Sequence, residues 1–132
     1  MNDIQKEYKR WLLNATKDED LTSELKQMSN MQKEDAFYRN LSFGTGGLRG
    51  VIGAGTNRIN IYTIAKASLG LANYLNKHHE NPSVVIGYDS RIKSDVFAHT
   101  AAGIFANSGI HVYIYSCLLP VPCVSYGVRH LK

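Results

Sequence analysis

Through the first forty residues the apolar positions recur at helical spacing. In DIQKEYKRWLLNA, residues Ile4, Tyr8, Trp11 and Leu12 fall on one face, and around TSELKQM the residues Leu21, Leu25 and Met28 form a second stripe. KEDAFYRNL predicts a third short helix before a run of glycines begins. Residues 1–40 therefore read as a helical leader. A leader with a single apolar stripe packs on its own domain or docks a partner.

From Asn60 the pattern changes to a regular alternation. NIYTIAKASLGLANYLNKHH predicts a helix with Ile64, Ala67, Leu71 and Leu75 on its core face, closed by the Asn-Pro turn of ENPS. SVVIGYD predicts a buried strand, and SRIKSDVFAHTAAGIFANSG a helix presenting Ala98, Ala101, Ile104 and Phe105, with Gly109 at its C-terminal end. IHVYIYS, rich in β-branched and aromatic residues, predicts the next strand. Strand, crossover helix and strand of these lengths make a right-handed βαβ unit, so the sheet is expected to be at least partly parallel and covered by helices. After LLPVP, CVSYGVRHLK predicts one more short helix. A βα pattern that stops on a helix lacks the strand that would normally return to the sheet. The chain is accordingly expected to continue past Lys132 in the whole protein, the alternative being a small independent protein whose sheet ends there.

Between these two regions, FGTGGLRGVIGAGTNR holds six of the eleven glycines within Gly44–Gly55, together with Arg49 and Arg58. Two familiar phosphate loops can be tested against it. No glycine is followed by lysine, which excludes G-x-x-x-x-G-K-[ST], and counting from Gly44 and Gly46 the third position of G-x-G-x-x-G is Arg49. Glycines nevertheless let backbone N–H groups converge on an anion, the Thr45 hydroxyl can add a donor, and Arg49 supplies a permanently charged fork for two phosphate oxygens. A glycine-rich hairpin turn with surface arginines fits the same spacing equally well. A second constellation, GYDSR, stands at the carboxyl end of a predicted parallel strand, where open α/β sheets bind ligands. Asp89 or Ser90 there is expected to cap the following helix, and Arg91 could reach a ligand or a neighbouring loop.

Composition narrows the classes. A chain of 132 residues can bury one core, 44% hydrophobic and 20% charged residues are those of a soluble globular protein, and no apolar run reaches the roughly 20 residues of a membrane span. The N-terminus has no secretory signal pattern, so a cytoplasmic location is expected, with no membrane partner. Residues 1–35 balance to −2 and residues 36–132 to +6, within a net charge of +4. A basic body suggests an anionic partner. Its cations are dispersed and its aromatics follow core periodicity, which favours phosphate on a small molecule and speaks against nucleic acid. Cys117 and Cys123, separated by LLPVP, are read as buried, reduced thiols, and neither they nor the five scattered histidines have metal-site spacing.

Taken together, FGTGGLRG at 43–50, GAGTNRINIYTIAKASLGLANYL at 53–75, VVIGYDSR at 84–91 and PVPCVSYGVRHL at 120–131 resemble the α-D-phosphohexomutase family, which includes phosphoglucomutase and phosphomannomutase. The motifs occur in family order across residues 36–132. The leader and the Gly46-Gly47 pair look most like the phosphoglucomutase and phosphopentomutase branch. The resemblance implies a three-layer α/β/α fold with a mixed, mainly parallel sheet, residues 1–40 as helical leader and 41–132 as an incomplete first domain of four around one cleft. It further implies interconversion of hexose 1-phosphate and hexose 6-phosphate through a phosphoserine and a bisphosphorylated sugar, with Mg2+ on the phosphoserine and glucose 1,6-bisphosphate as activator and intermediate. Arg49 would lie beside the phosphoserine, and Thr45, Gly46, Gly47 and Arg91 would contact phosphate or substrate.

The departures from the family pattern are as specific. The Thr-Ala-Ser-His-Asn-Pro-type segment that carries the nucleophile does not occur in these residues, nor do the Asp-rich magnesium loop and the sugar-selecting and terminal phosphate-binding loops. Ser90, Ser116 and Ser125 do not match the nucleophile's context. Leu119 and Val121 stand where the family often has threonines. The partners expected are a sugar phosphate and the remaining domains of the same polypeptide, and the 132 residues alone are expected to be inactive. An incomplete sheet would also favour self-association. The alternative is a non-catalytic phosphate-binding or interaction module on the same scaffold.

Overall fold

The computed structural model describes residues 3–131 and falls into two compact units, one through Thr63 and one from Ile64. Among the described residues there are six helices and four short strands, a mixed α/β chain.

The first unit is built on the leader. Helices α1 (Asp3–Asn14), α2 (Glu19–Gln27) and α3 (Asn30–Phe37) bury the stripes their spacing predicts: Tyr8, Trp11, Leu21, Leu25 and Met28 join Ala36, Phe37 and Ala54 in one core. Trp11 stands edge-on to both Phe37 and Tyr62, and the Tyr8 hydroxyl donates to Leu25 O at 2.6 Å, which satisfies the one polar atom that ring carries inside. Asp18 caps α2 by accepting the N–H groups of Asp20 and Leu21. Helix α3 starts at Asn30, earlier than the Lys33 of the predicted segment. Ser29 and Gln32 form a capping box there, satisfying donors of the first turn that the apolar pattern does not report.

Strands β1 (Phe43–Gly44) and β2 (Gly47–Leu48) pair antiparallel as a small hairpin. The chain then runs through a buried loop, Gly53 to Thr56, to Asn60, which caps helix α4 (Ile61–His78) with its side chain.

The second unit contains the parallel pair β3 (Ser83–Ile86) and β4 (His111–Ile114), in register from Ser83↔His111 to Ile86↔Ile114 and connected through α5 (Ser94–Asn107). This is the predicted strand, helix, strand order. Its core joins Ala72, Phe105 and Ile110, with Leu75, Val84, Ile86, Ala101 and Val112 packed against them. Helix α6 (Val121–His130) follows, with prolines at its start as fixed φ favours.

Several expectations are corrected. Of the stripe expected on helix α4, Leu75 packs against the core and Ile64 and Ala67 are half-buried, but Leu71 is 49% exposed and the buried positions are Ser68 and Ala72. The helix is turned so that small residues lie inward, and Ala72 packs with Phe105. Asp89 and Ser90 do not cap α5. That helix begins at Ser94 after Lys93 in the left-handed region (φ 61°), with no side-chain cap. Cys117 and Cys123 are free as expected, yet exposed instead of buried. Cys117 lies in the loop after β4 and Cys123 in the first turn of α6, both on the solvent side.

No helix among the described residues is long and apolar enough to cross a membrane.

Candidate functional site

The glycine stretch folds as a hairpin. Phe43 pairs with Leu48 and Gly44 with Gly47, leaving Thr45 and Gly46 as the two-residue turn. The reversal is absorbed by Gly47 at φ 110°, a conformation that L side chains rarely adopt. Arg49 follows directly and lays its guanidinium back over the turn, with Nη2 2.8 Å from the position a Cβ on Gly46 would occupy. Thr45, Gly46 and Arg49 are all exposed. The structure thus brings four predicted site residues, Thr45, Gly46, Gly47 and Arg49, into one surface feature.

Three arginines stand in the two motifs, and their charges are used differently. Arg58 is committed to structure: its guanidinium forms an ion pair with Asp35 and donates to the carbonyls of Asp35 and Asn57. Arg91 pairs with Asp89, Nε reaching the two carboxylate oxygens at 2.9 and 3.1 Å. Arg49 makes no salt bridge among the described residues. The hairpin therefore carries a positive charge beside a turn with almost no side chains, a geometry suited to an oxyanion.

Arg91 belongs to the second unit. There an open cleft of about 460 Å³ lies beyond the carboxyl ends of β3 and β4, lined by Tyr88, Asp89, Arg91 and Asp95 on one side and Ser116, Cys117 and Leu118 on the other. Asp89 accepts both the Arg91 N–H at 3.1 Å and the Arg91 side chain. The Arg91 side-chain hydrogen bond, with the backbone one after it, holds the Asp89 carboxyl below the usual aspartate range, and the same pairing raises Arg91.

Sequence reasoning missed the residues that hold the loop behind the hairpin. Glu24 on α2 accepts the Ala54 N–H at 3.0 Å, and Asn60, 2% exposed, donates to the carbonyls of Gly53 and Gly55 while accepting from Tyr62 and Thr63. Asn60 was detectable as a polar residue just ahead of a helical pattern. Glu24 left no local signal, since its partner is thirty residues away.

No group of three or more His, Cys, Asp or Glu side chains among the described residues could hold a metal ion, so these residues do not fit the magnesium site that the resemblance implies, and no step below runs through one.

An α/β chain with an arginine-bearing glycine hairpin and a cleft at its strand ends is the class this geometry defines. Residues 40–132 match the family model described as phosphoglucomutase/phosphomannomutase, alpha/beta/alpha domain I, and the chain belongs to that family. A phosphoglucomutase of Staphylococcus haemolyticus (strain JCSC1435) is 44% identical over 100 residues, covering 76% of this chain and 18% of its own length. Phosphoglucomutases of Staphylococcus aureus are similar: that of strain bovine RF122 / ET3-1 is 43% identical and that of strain MRSA252 42%, each over 106 residues, 80% of this chain and 19% of the relative. The chain thus spans under a fifth of the length of these curated relatives. No solved structure matches it significantly.

Proposed function

We propose that this chain is the amino-terminal part of a cytoplasmic, phosphoglucomutase-like enzyme that interconverts hexose 1-phosphate and hexose 6-phosphate through a phosphoserine and a bisphosphorylated sugar. The observation that carries the reading is the likeness to phosphoglucomutases, 44% over 100 residues, across the segment that holds the hairpin. In this reading residues 1–40 are the leader, residues 41–132 are part of a three-layer first domain with a mainly parallel sheet, and the phosphoglucomutase and phosphopentomutase branch is the nearest. The nucleophilic serine, the magnesium ligands and the contacts to glucose 1,6-bisphosphate belong to the remaining domains, so the 132 residues by themselves are inactive.

Within that enzyme Arg49 is the residue that acts at the phosphoryl group. Its fork presents parallel N–H donors to two oxygens, and its charge, without a salt bridge among the described residues, is available to a dianion. Thr45 Oγ and the turn backbone add neutral donors. Transfer of a phosphoryl group calls for positioning and charge stabilisation more than for covalent chemistry from the protein, which is what a fixed guanidinium on a short hairpin supplies. Arg91, held by Asp89 at the cleft, contacts substrate only after exchanging that carboxylate for a phosphate.

Replacing the matching segment of the Staphylococcus haemolyticus enzyme by residues 40–132 tests the reading. The expected result is conversion of glucose 1-phosphate to glucose 6-phosphate by the chimera, lowered about 100-fold or more by Arg49→Ala. A folded chimera without turnover contradicts it. Binding of a sugar phosphate by such an inactive chimera would instead point to a non-catalytic module.

The isolated chain is also proposed to self-associate. Strands β3 and β4 pair only with each other among the described residues, and Val121, Tyr126 and Val128 on α6 are exposed. A strictly monomeric sedimentation profile at high concentration would count against this.

A further inference from the structure

We infer that the helical leader is a positioning device for the Arg49 hairpin, with Glu24 as its positioning residue. The leader lies almost entirely outside the family match, which begins at residue 40. Its side chains and carbonyls nonetheless fasten the loop that follows the hairpin. Glu24 Oε2 accepts the Ala54 N–H at 3.0 Å, and Oε1 sits 2.9 Å from where a Cβ on Gly53 would be, an approach that only glycine leaves open. Asn57 N donates to Ala36 O at 2.9 Å, its side-chain amide donates to Asp35 O at 3.2 Å, and Arg58 pairs with the Asp35 carboxylate. Arg39 Nε donates to Asn57 Oδ1 at 3.1 Å, and the Leu41 N–H to Thr56 O at 2.8 Å.

The other side of the same loop is tied to the hairpin's exit. Ile59 N donates to Val51 O at 2.8 Å, Gly53 N donates to Ile59 O at 3.1 Å, and Ile52 and Ile59 form a parallel bridge. Val51 is two residues past Arg49, and a trans peptide chain is nearly inextensible, about 3.8 Å between successive Cα atoms. The ties at Val51 and Ile52 thus give a shift of Gly53–Arg58 a path of two residues to the backbone of Arg49.

Glu24 is the sensitive member of the set. Ala54 is fully buried, and the acceptor for its N–H is a carboxylate side chain, where its neighbours Gly53 and Asn57 use backbone carbonyls. Removing that acceptor leaves a buried donor unsatisfied. Only the functional consequence rests on the reading of Arg49 as a phosphate ligand; the mechanical coupling does not.

Amide NMR on the 132-residue chain tests the coupling. In Glu24→Ala, exchange at Ala54 N–H is expected to accelerate about tenfold or more, and the Thr45–Leu48 amides and Arg49 Nε–H to move. Signals of α5 and β4 should stay in place. Glu24→Gln keeps a carbonyl acceptor and should restore most of the wild-type spectrum. Leu25→Ala weakens the same leader core without touching Ala54 N–H and should leave the hairpin signals unchanged while the protein remains folded. The inference is overturned if Glu24→Ala leaves the hairpin unmoved, or if Leu25→Ala moves it as much. Should Glu24→Ala unfold the first unit, Glu24→Asp, which draws the carboxylate back from Ala54 N–H by one methylene, and Asp35→Asn carry the test, with a smaller displacement of the same hairpin signals expected and none overturning it. A titration with inorganic phosphate on the same samples separates the two claims. Wild-type hairpin signals that ignore phosphate would count against Arg49 as a ligand and leave the leader coupling standing.

Discussion

Arg49 and Gly46 touch: the guanidinium occupies the space above the glycine, with Nη2 2.8 Å from the point where a Cβ would begin. The absence of a side chain at Gly46 is thus what gives Arg49 its resting place. In Gly46→Ala the flexible end of Arg49 has to move, whereas the exposed turn loses little. We expect a stability change under about 1 kcal/mol by urea unfolding, together with a displaced Arg49 Nε–H resonance. An unmoved resonance would contradict the contact.

Gly55 is the opposite case. It combines φ 128° with a virtual Cβ only 2.6 Å from Ala36 O, backbone atoms that cannot rotate away. Gly55→Ala adds conformational strain to overpacking, for a loss of roughly 2–5 kcal/mol. Denaturant unfolding reads it, and a loss below 1 kcal/mol would show that the loop can relax.

Gly70 and Gly103 lie within α4 and α5, exposed, with nothing within 4 Å of a virtual Cβ. Alanine at each removes backbone freedom from the unfolded chain and improves helix propensity at no steric cost. Each is expected to stabilise by roughly 0.5–1 kcal/mol, and the double variant to add, since the sites share no partner. Thermal melts monitored at 222 nm check this.

The Asp89–Arg91 pair sets a pH dependence at the cleft. Because Arg91 holds the folded-state pKa of Asp89 below its ordinary value of about 3.9, the unfolded chain takes up that proton first as pH falls. The pair's contribution is therefore present above about pH 4 and disappears as pH drops through the lower folded value. Carboxyl NMR should place the Asp89 midpoint below that of an unpaired aspartate, and Arg91→Ala should bring it back. A midpoint unaffected by that substitution would remove the pairing.

Local periodicity carried much of the architecture. Tyr8, Trp11, Leu21 and Leu25 announce the leader core because an amphipathic helix is legible within a dozen residues, and Val84–Ile86 and Val112–Ile114 announce strands by β-branching. The same periodicity misjudged part of α4, where Ile64, Ala67, Leu71 and Leu75 suggest a face but Leu71 is exposed and the buried positions are Ser68 and Ala72. It also misplaced Asp89, whose carboxylate finds Arg91 two residues on in preference to a helix N-terminus that begins at Ser94. Of the candidate site, the gathering of Thr45–Gly47 with Arg49 was legible because residues within five positions of one another stay close however the chain turns, while the hairpin itself was one of two readings the spacing allowed. That Arg58 is spent on Asp35 was not legible, because the two are separated by 23 residues.

The amino-acid order by itself determined the helical leader, the strand–helix–strand alternation and an arginine set among glycines, since each follows from properties of residues adjacent along the chain. Tertiary structure alone decided which face of α4 is buried, that both cysteines are exposed, that of Arg49 and Arg58 only Arg58 forms a salt bridge among the described residues, and that Glu24 reaches Ala54. Those outcomes depend on which distant groups meet. Contacts between groups far apart along the chain, such as the Arg58–Asp35 ion pair and the Glu24 acceptor for Ala54 N–H, are settled by proximity in space, which no local pattern encodes.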